Sequence, residues 1–186
     1  MTAIYTIGHS TRTLDEFIEL LRTHDIRLVV DVRTIPRSRH NPGYNSDTLA
    51  PALQEKGIAY RHIPELGGLR RPAKDPINAG WENASFRGFA DYMQTEGFAK
   101  GLEQLMDAGR HAPTAIMCAE AVPWRCHRSL IGDALLVRGF TVKDIMGRNS
   151  LREHALTSFA EVDGERITYP GPQPAERLQH KRDSSP

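Results

Sequence analysis

Only two cysteines occur among the 186 residues, Cys118 and Cys126, and both fall in one short stretch. A disulfide-stapled scaffold is thereby excluded, and a chain of this length buries a core without one. No apolar run approaches the roughly 20 residues that a spanning helix needs. The net charge is only +1, so no overall field draws the chain to nucleic acid or to a membrane surface. The N-terminus enters a strand pattern directly, with no basic segment followed by an apolar one, and there is no internal repeat. These absences point to a cytoplasmic protein without a membrane partner. The apolar and charged fractions, 39% and 25%, place it among ordinary globular chains.

What the chain does have is an alternation of short apolar runs and amphipathic stretches. Ile4-Tyr5-Thr6-Ile7 reads as a strand closed by Gly8-His9-Ser10. Thr13 and Glu16 have capping-box spacing, just before Leu14, Phe17, Ile18 and Leu21 at helical intervals. Leu28-Val29-Val30 is a second strand run ending in Asp31-Val32-Arg33, and this βαβ opening implies a parallel sheet with a right-handed crossover. Thr34 to Asn45, with Pro36, Pro42 and Gly43, is a long loop, the kind that is usually functional or disordered in compact domains. A helix capped by Ser46 or Asp47 runs through Leu49 and Leu53 to Gly57, and Ile58 to Ile63 supplies a third strand before the turn Pro64 to Gly68.

Phe86, Phe89, Ala90 and Met93 form one helix face, and Phe98, Leu102, Leu105 and Met106 another that ends at Gly109; such stripes are core. The apolar run from Ala115 to Cys118 is the fourth strand, Gly139 ends the following helix, and Thr141 to Ile145 is the fifth strand. Glu161-Val162 and Arg166 to Tyr169 flank Asp163-Gly164 as a hairpin. The expected architecture is a single α/β domain over residues 1–169. It has an open, mainly parallel five-stranded sheet with helices on both faces and a small C-terminal hairpin. Residues 170–186, proline-rich and polar, are expected to be disordered.

Between the fourth strand and its helix the chain breaks at Pro123 and restarts at Ser129. That turn holds both cysteines, Glu120, Arg125, His127 and Arg128. Structural turns need Gly, Asn or Pro; they do not need two thiols and an imidazole. A strand-to-helix turn also aims backbone N–H groups outward, which suits an anion. In open parallel sheets ligands gather at the strands' carboxyl ends. There this sequence offers His9 and Ser10, then Asp31 and Arg33, then His62 and Glu65, and finally Cys118 and Glu120 with Cys126, His127 and Arg128 on the return. From Arg27 to Lys74 nine basic residues face four acidic ones, either a solvated basic face or an anion-binding surface.

Each residue has a plainer reading. A cysteine ending an apolar strand is by default a small buried hydrophobe, yet arginine, histidine and a helix N-terminus all favour a thiolate at Cys118 or Cys126. Glu120 is a general acid or base, or the salt-bridge partner of Arg125 or Arg128. Asp31 and Arg33 share a face by strand alternation and form either working groups or a structural ion pair. Zinc or iron would suit Cys118, Cys126 and His127 with His9 or His62 as a fourth ligand. The seven residues between the cysteines are not a zinc pattern, however, and adjacent Cys126 and His127 face one ion with difficulty, so no metal is expected.

Four blocks carry a family resemblance: Tyr5 to Ser10; Asp31-Val32-Arg33 with Pro36 and Ser38; Pro64-Glu65-Leu66-Gly67-Gly68; and Cys118-Ala119-Glu120 followed by Cys126-His127-Arg128. Together they resemble the domain of unknown function 488 family over roughly residues 3 to 170. The resemblance implies a cytoplasmic bacterial-type α/β domain and supplies no reaction. A weaker likeness is to rhodanese-type domains, in which one strand ends in Asp-Val-Arg and a later one in a cysteine before a helix starting at Arg-Ser, here Arg128-Ser129. The rhodanese loop is much shorter than Cys118 to Arg128, and a shared layout warrants no function.

The residues point first to an enzyme acting on an anionic, nucleotide- or nucleic-acid-derived substrate. Its candidate catalytic groups are Cys118, Glu120, Cys126, His127, Asp31 and Glu65. Its candidate substrate-binding groups are His9, Ser10, Arg33, Arg37, Arg39, Tyr44, Arg125 and Arg128. Tyr44, Trp81 and Trp124 are expected to be exposed and able to stack on a base. The alternatives are rhodanese-type sulfur chemistry with a persulfide on Cys118, or a metal- or nucleic-acid-binding module without catalysis. No cofactor or oligomeric state is specified by the sequence.

Overall fold

The chain is described by a computed structural model over residues 2–74 and 77–171. From residue 172 onward the expected disordered tail lies outside the described residues.

The helices begin largely where the capping chemistry says they should. Thr13 Oγ1 accepts from the Glu16 N–H and the Glu16 carboxylate accepts from the Thr13 N–H, so the expected box starts α1 (Leu14–Thr23) between β1 (Ala3–Gly8) and β2 (Leu28–Asp31). Helix α2 (Ser46–Glu55) is preceded by Asn45 rather than capped by Ser46 or Asp47, and the Asn45 side chain is taken up by the Ser38 N–H. It leads through Gly57 at φ +73° to β3 (Ala59–His62). Asn83 caps α3 (Ala84–Tyr92) and Thr95 caps α4 (Glu96–His111). Gly109 lies inside α4 and does not end it. A side chain there would press on Ile4, and the helix runs on until Ala112 turns extended before Pro113. Strand β4 (Thr114–Cys118), α5 (Arg128–Val137) and β5 (Thr141–Gly147) follow.

The main sheet has strand order β3-β2-β4-β1-β5-β6, and all pairs among the first five strands are parallel. It holds six strands where five were expected. The addition is β6 (Ser150–Glu153), antiparallel to β5 at the edge, with every residue exposed. An edge strand with no buried face leaves no apolar alternation to read. The expected hairpin forms from β7 (Glu161–Asp163) and β8 (Arg166–Thr168), with Gly164 at φ +60° in its turn.

Strand alternation divides the core into two layers. Ile7, Val29, Ala115 and Met117 face α1 and α2, whereas Ile4, Val30, Ile116 and Val142 face α3, α4 and α5. Ile167 and Tyr169 bring the hairpin onto the second layer. Connections leaving β1 and β2 therefore run to the first face, and the one leaving β4, which lies between them, runs to the second. Such a divergence opens a crevice at the carboxyl end of β4. No helix among the described residues is long and apolar enough to cross a membrane.

Candidate functional site

The parallel register sets Gly8 beside Cys118 and Asp31 beside Met117, which levels the ends of β1, β2 and β4. Pairing continues past the strands, with the N–H groups of His9 and Ser10 donating to the carbonyls of Cys118 and Ala119 at 3.0 and 2.9 Å. Gly8 lies against the Glu120 carbonyl, where any side chain would collide, so glycine lets the chain beyond Cys118 cross over β1. That chain then makes one 3₁₀ turn, Pro123–Arg125, before Cys126 and α5. A cavity of about 380 Å³ opens at this rim. Cys118, Glu120, Arg125, Cys126 and His127 line it on the β4 side, and Arg33 and Arg37 on the β2 side.

At its floor the two sulfurs and a ring nitrogen of His127 all lie within 4.8 Å of one another. Cys126 has extended backbone (φ −139°, ψ 146°) and His127 is helical (φ −56°, ψ −12°). This change of backbone is why adjacent side chains converge here, against the sequence expectation. His127 Nε2 lies 3.0 Å from the Val32 carbonyl, which only accepts, so Nε2 carries the hydrogen and Nδ1 turns its lone pair to Cys126 Sγ at 3.6 Å. Gly68 leaves room for the ring, since a Cβ there would sit 2.5 Å from Nδ1. Phe89 packs edge-on against the ring at 5.0 Å. Arg128, only 1% exposed, donates from Nε to Cys126 Sγ at 3.4 Å and from Nη2 to the Glu120 carbonyl at 2.6 Å.

These contacts separate two thiols that the sequence left equivalent. A hydrogen bond from the Cys118 S–H, and then His127 and Arg128, outweigh burial and hold the Cys126 thiol well below its ordinary range. The same hydrogen bond, together with burial, pushes the Cys118 thiol up. Cys118, Cys126 and His127 are also the group of described residues whose donor atoms could hold a soft metal ion such as zinc. His62 is not part of it, because its Nε2 lies 2.7 Å from the Arg33 carbonyl.

Other predicted residues are used structurally. Asp31 is fully buried and accepts from the Arg33 N–H at 3.0 Å, from Arg33 Nε at 2.9 Å and Nη2 at 2.6 Å, and from the Tyr60 hydroxyl at 2.7 Å. Asp31 and Arg33 thus form a buried ion pair, and Arg33 also belongs to the cavity lining. Tyr44 is 2% exposed, not open to a base. The long loop folds back through a 3₁₀ turn, Pro42–Tyr44, and the phenol stacks on His9 at 4.1 Å with its hydroxyl on the Arg12 and Thr13 carbonyls. His9 is buried too, and burial lowers its pKa. Among the described residues, His9 Nε2, Arg33 Nη1 and Trp81 Nε1 are buried nitrogens without a hydrogen-bond partner.

Ser10 contributes backbone, at φ +46°, with its carbonyl accepting from Asn41 Nδ2. Arg39 is exposed outside the cavity lining. Glu65 is half-buried, packed where α4 has Gly101, and does not line the cavity. The Glu120 carboxylate is exposed at the cavity and forms no ion pair with Arg125 or Arg128; Arg128 holds its carbonyl instead. Trp81 is wedged among Phe86, Phe159 and Tyr169. Trp124 is exposed, but it lines a separate cavity and lies under the Arg152 guanidinium.

Sequence reasoning missed the apolar walls. Ile35, Leu69 and Phe86 line the cavity, with Thr34, Gly68 and Ser85 between them. Ile35 and Leu69 stand apolar and exposed in otherwise polar loops, and that isolation was the available signal. Phe86 was absorbed into the helical core stripe, and it does pack on Trp81 while presenting to the cavity.

The chain matches no curated protein and no solved structure. Nothing in these comparisons supports the rhodanese-type likeness. The family described as Domain of unknown function DUF488 matches residues 13–135, about two thirds of the chain, and that span includes three of the four sequence blocks. With those blocks now placed around one cavity rim, the chain belongs to the domain of unknown function DUF488 family.

Proposed function

We propose that the protein is a thiol enzyme in which Cys126 is the nucleophile and the substrate is a small anion held in the adjoining cavity. One observation carries this reading: Cys126 Sγ, in the cavity lining, is the shared partner of His127 Nδ1 and Arg128 Nε, with the Cys118 sulfur within 4.8 Å. His127 Nδ1 takes the thiol proton, and the start of α5 adds a positive potential to the guanidinium already on the sulfur. Arg37 and Arg125 at the cavity supply charge for an anionic group. Glu120, the one carboxylate among the described lining residues, exchanges a proton with a leaving group. A volume of about 380 Å³ suits a small molecule, including a nucleotide, and does not admit a duplex. Rhodanese-type sulfur transfer would need the same thiolate, which moves the persulfide-bearing role from Cys118 to Cys126.

Alkylation followed by intact mass tests this. Cys126 should react with iodoacetamide well below the ordinary thiol pKa of about 8.5. Anionic iodoacetate should gain on neutral iodoacetamide relative to a free thiol. Cys126→Ser should abolish the low-pH reaction and Cys118→Ser should retain a reactive thiol. A rate rising only near the ordinary pKa overturns the proposal. A metal-binding reading of the same three side chains draws on their 4.8 Å clustering. The guanidinium directed at the Cys126 sulfur favours a thiolate over a cation there, and elemental analysis of the purified protein separates the two.

A further inference from the structure

The reading above uses one thiol, but the cavity floor has two, and both belong to its lining. We propose that Cys118 is a second catalytic thiol and that the pair reduces small anionic disulfides. This rests on Cys126 being the nucleophile.

Three observations support it. The two sulfurs lie within 4.8 Å of each other, beside the His127 ring nitrogen and the Arg128 guanidinium. Most of the connecting segment, including Ala119, Glu120, Ala121, Trp124 and Arg125, is exposed. It can therefore yield the approach to a bonded S–S separation of about 2.05 Å without repacking a core. The walls suit the substrate, since Arg37 and Arg125 meet its anionic groups, and Ile35, Leu69 and Phe86 meet the apolar body beside its sulfurs.

The steps balance as thiol–disulfide exchange. The Cys126 thiolate attacks one sulfur of R–S–S–R′, forming Cys126–S–S–R and expelling R′–S⁻, which takes the proton that His127 received from Cys126. Cys118 then loses its proton to the second leaving thiolate and attacks Cys126 Sγ. R–SH departs, and a Cys118–Cys126 disulfide remains. The substrate gains two electrons and the protein loses them, and a dithiol reductant restores the pair.

The test uses 5,5′-dithiobis(2-nitrobenzoic acid), an anionic aromatic disulfide, on the full chain at neutral pH. Wild-type protein should release two equivalents of the coloured thiol rapidly and retain no adduct, its mass falling by two hydrogens, reversibly with dithiothreitol. Cys118→Ser should release one equivalent and keep the aromatic thiol as a mixed disulfide. Cys126→Ser should react more slowly by about tenfold or more. If wild-type protein also stops at one equivalent with the adduct on Cys126, the nucleophile stands and the second-thiol role falls. If wild-type protein does not react while folded, both fall. The wild-type mass decides the matter even where a variant does not fold, because two equivalents released with two retained adducts would also overturn the second-thiol role.

Discussion

Asp31 and Cys126 occupy the same rim, each ends up against an arginine, and each is buried, yet they differ in the hydrogen-bonding capacity left over. Both oxygens of Asp31 are filled from within by Arg33 and Tyr60. Cys126 also has its partners, but its sulfur faces a cavity, and the groups bonded to it favour the charged form against the cost of burial. The lesson is that acid-plus-arginine at a strand end identifies the rim, whereas free capacity beside empty volume identifies the chemistry.

The largest effect expected from this contrast lies on the sealed side. Asp31→Ala strands the Arg33 guanidinium in a buried position and should cost about 3–5 kcal/mol of stability, read from the urea midpoint. A near-neutral result would mean that Asp31 is not a clamp, and the contrast would break.

A second charged cluster lies on the far side of β1, where His154 Nε2 is 3.0 Å from Asp133 and Nδ1 is 3.9 Å from Asp144, beside the cavity that Trp124 lines. Burial lowers the His154 pKa, but the two carboxylates outweigh it and push it up to about 9. With the folded pKa above the unfolded one, this contribution is complete below about pH 6.5 and is lost as pH rises through about 9. It amounts to at most about 3 kcal/mol. Urea midpoints across that window should fall in wild type and flatten in His154→Asn. Cys126 alkylation, corrected for its own titration, should be the same in both; a change in it would show that the clusters are coupled.

Gly68→Ala acts on the reactive side, pushing the imidazole off its position. It should slow Cys126 alkylation about tenfold, equivalent to about 1.4 kcal/mol. An unchanged rate would remove His127 from the activating set. The smallest effect belongs to the exposed arginines. Arg37→Ala and Arg125→Ala should leave stability within about 0.5 kcal/mol. Each should lower the iodoacetate-to-iodoacetamide rate ratio about twofold, as a screened surface charge would.

Much of the fold was legible because it is written in local chemistry. The Thr13–Glu16 box, the apolar run of β4 and the Asp163-Gly164 turn each specify structure over a few residues. β6 was not legible because exposed Ser150–Glu153 has no buried face to impose a pattern. The position of Gly109 was misjudged because a helix-interior glycine packed on Ile4 and a terminal one look alike in one dimension. At the site, the density of chemical groups between Cys118 and Arg128 was visible. Which thiol has its pKa lowered was not, since that depends on contacts made in three dimensions, among them the Val32 carbonyl just past β2 that orients the His127 ring. Tyr44 was misread because nothing local announces that a loop tyrosine folds back onto His9.

The strand order carries a last consequence, for biosynthesis. Among the described residues β1 finds its only sheet partners in β4 and β5, with Ile4 registered to Thr114 and Val142. A nascent chain that has emerged through β3 can pair β2 with β3 and nothing else, and its first strand waits about a hundred residues for a neighbour. Cys126 is translated after that strand's partner, and its charge-bearing neighbours assemble when the sheet zips shut around β4. On the proposed reading, a ribosome-bound or misfolded chain carries two ordinary thiols, and the finished protein carries a reactive one.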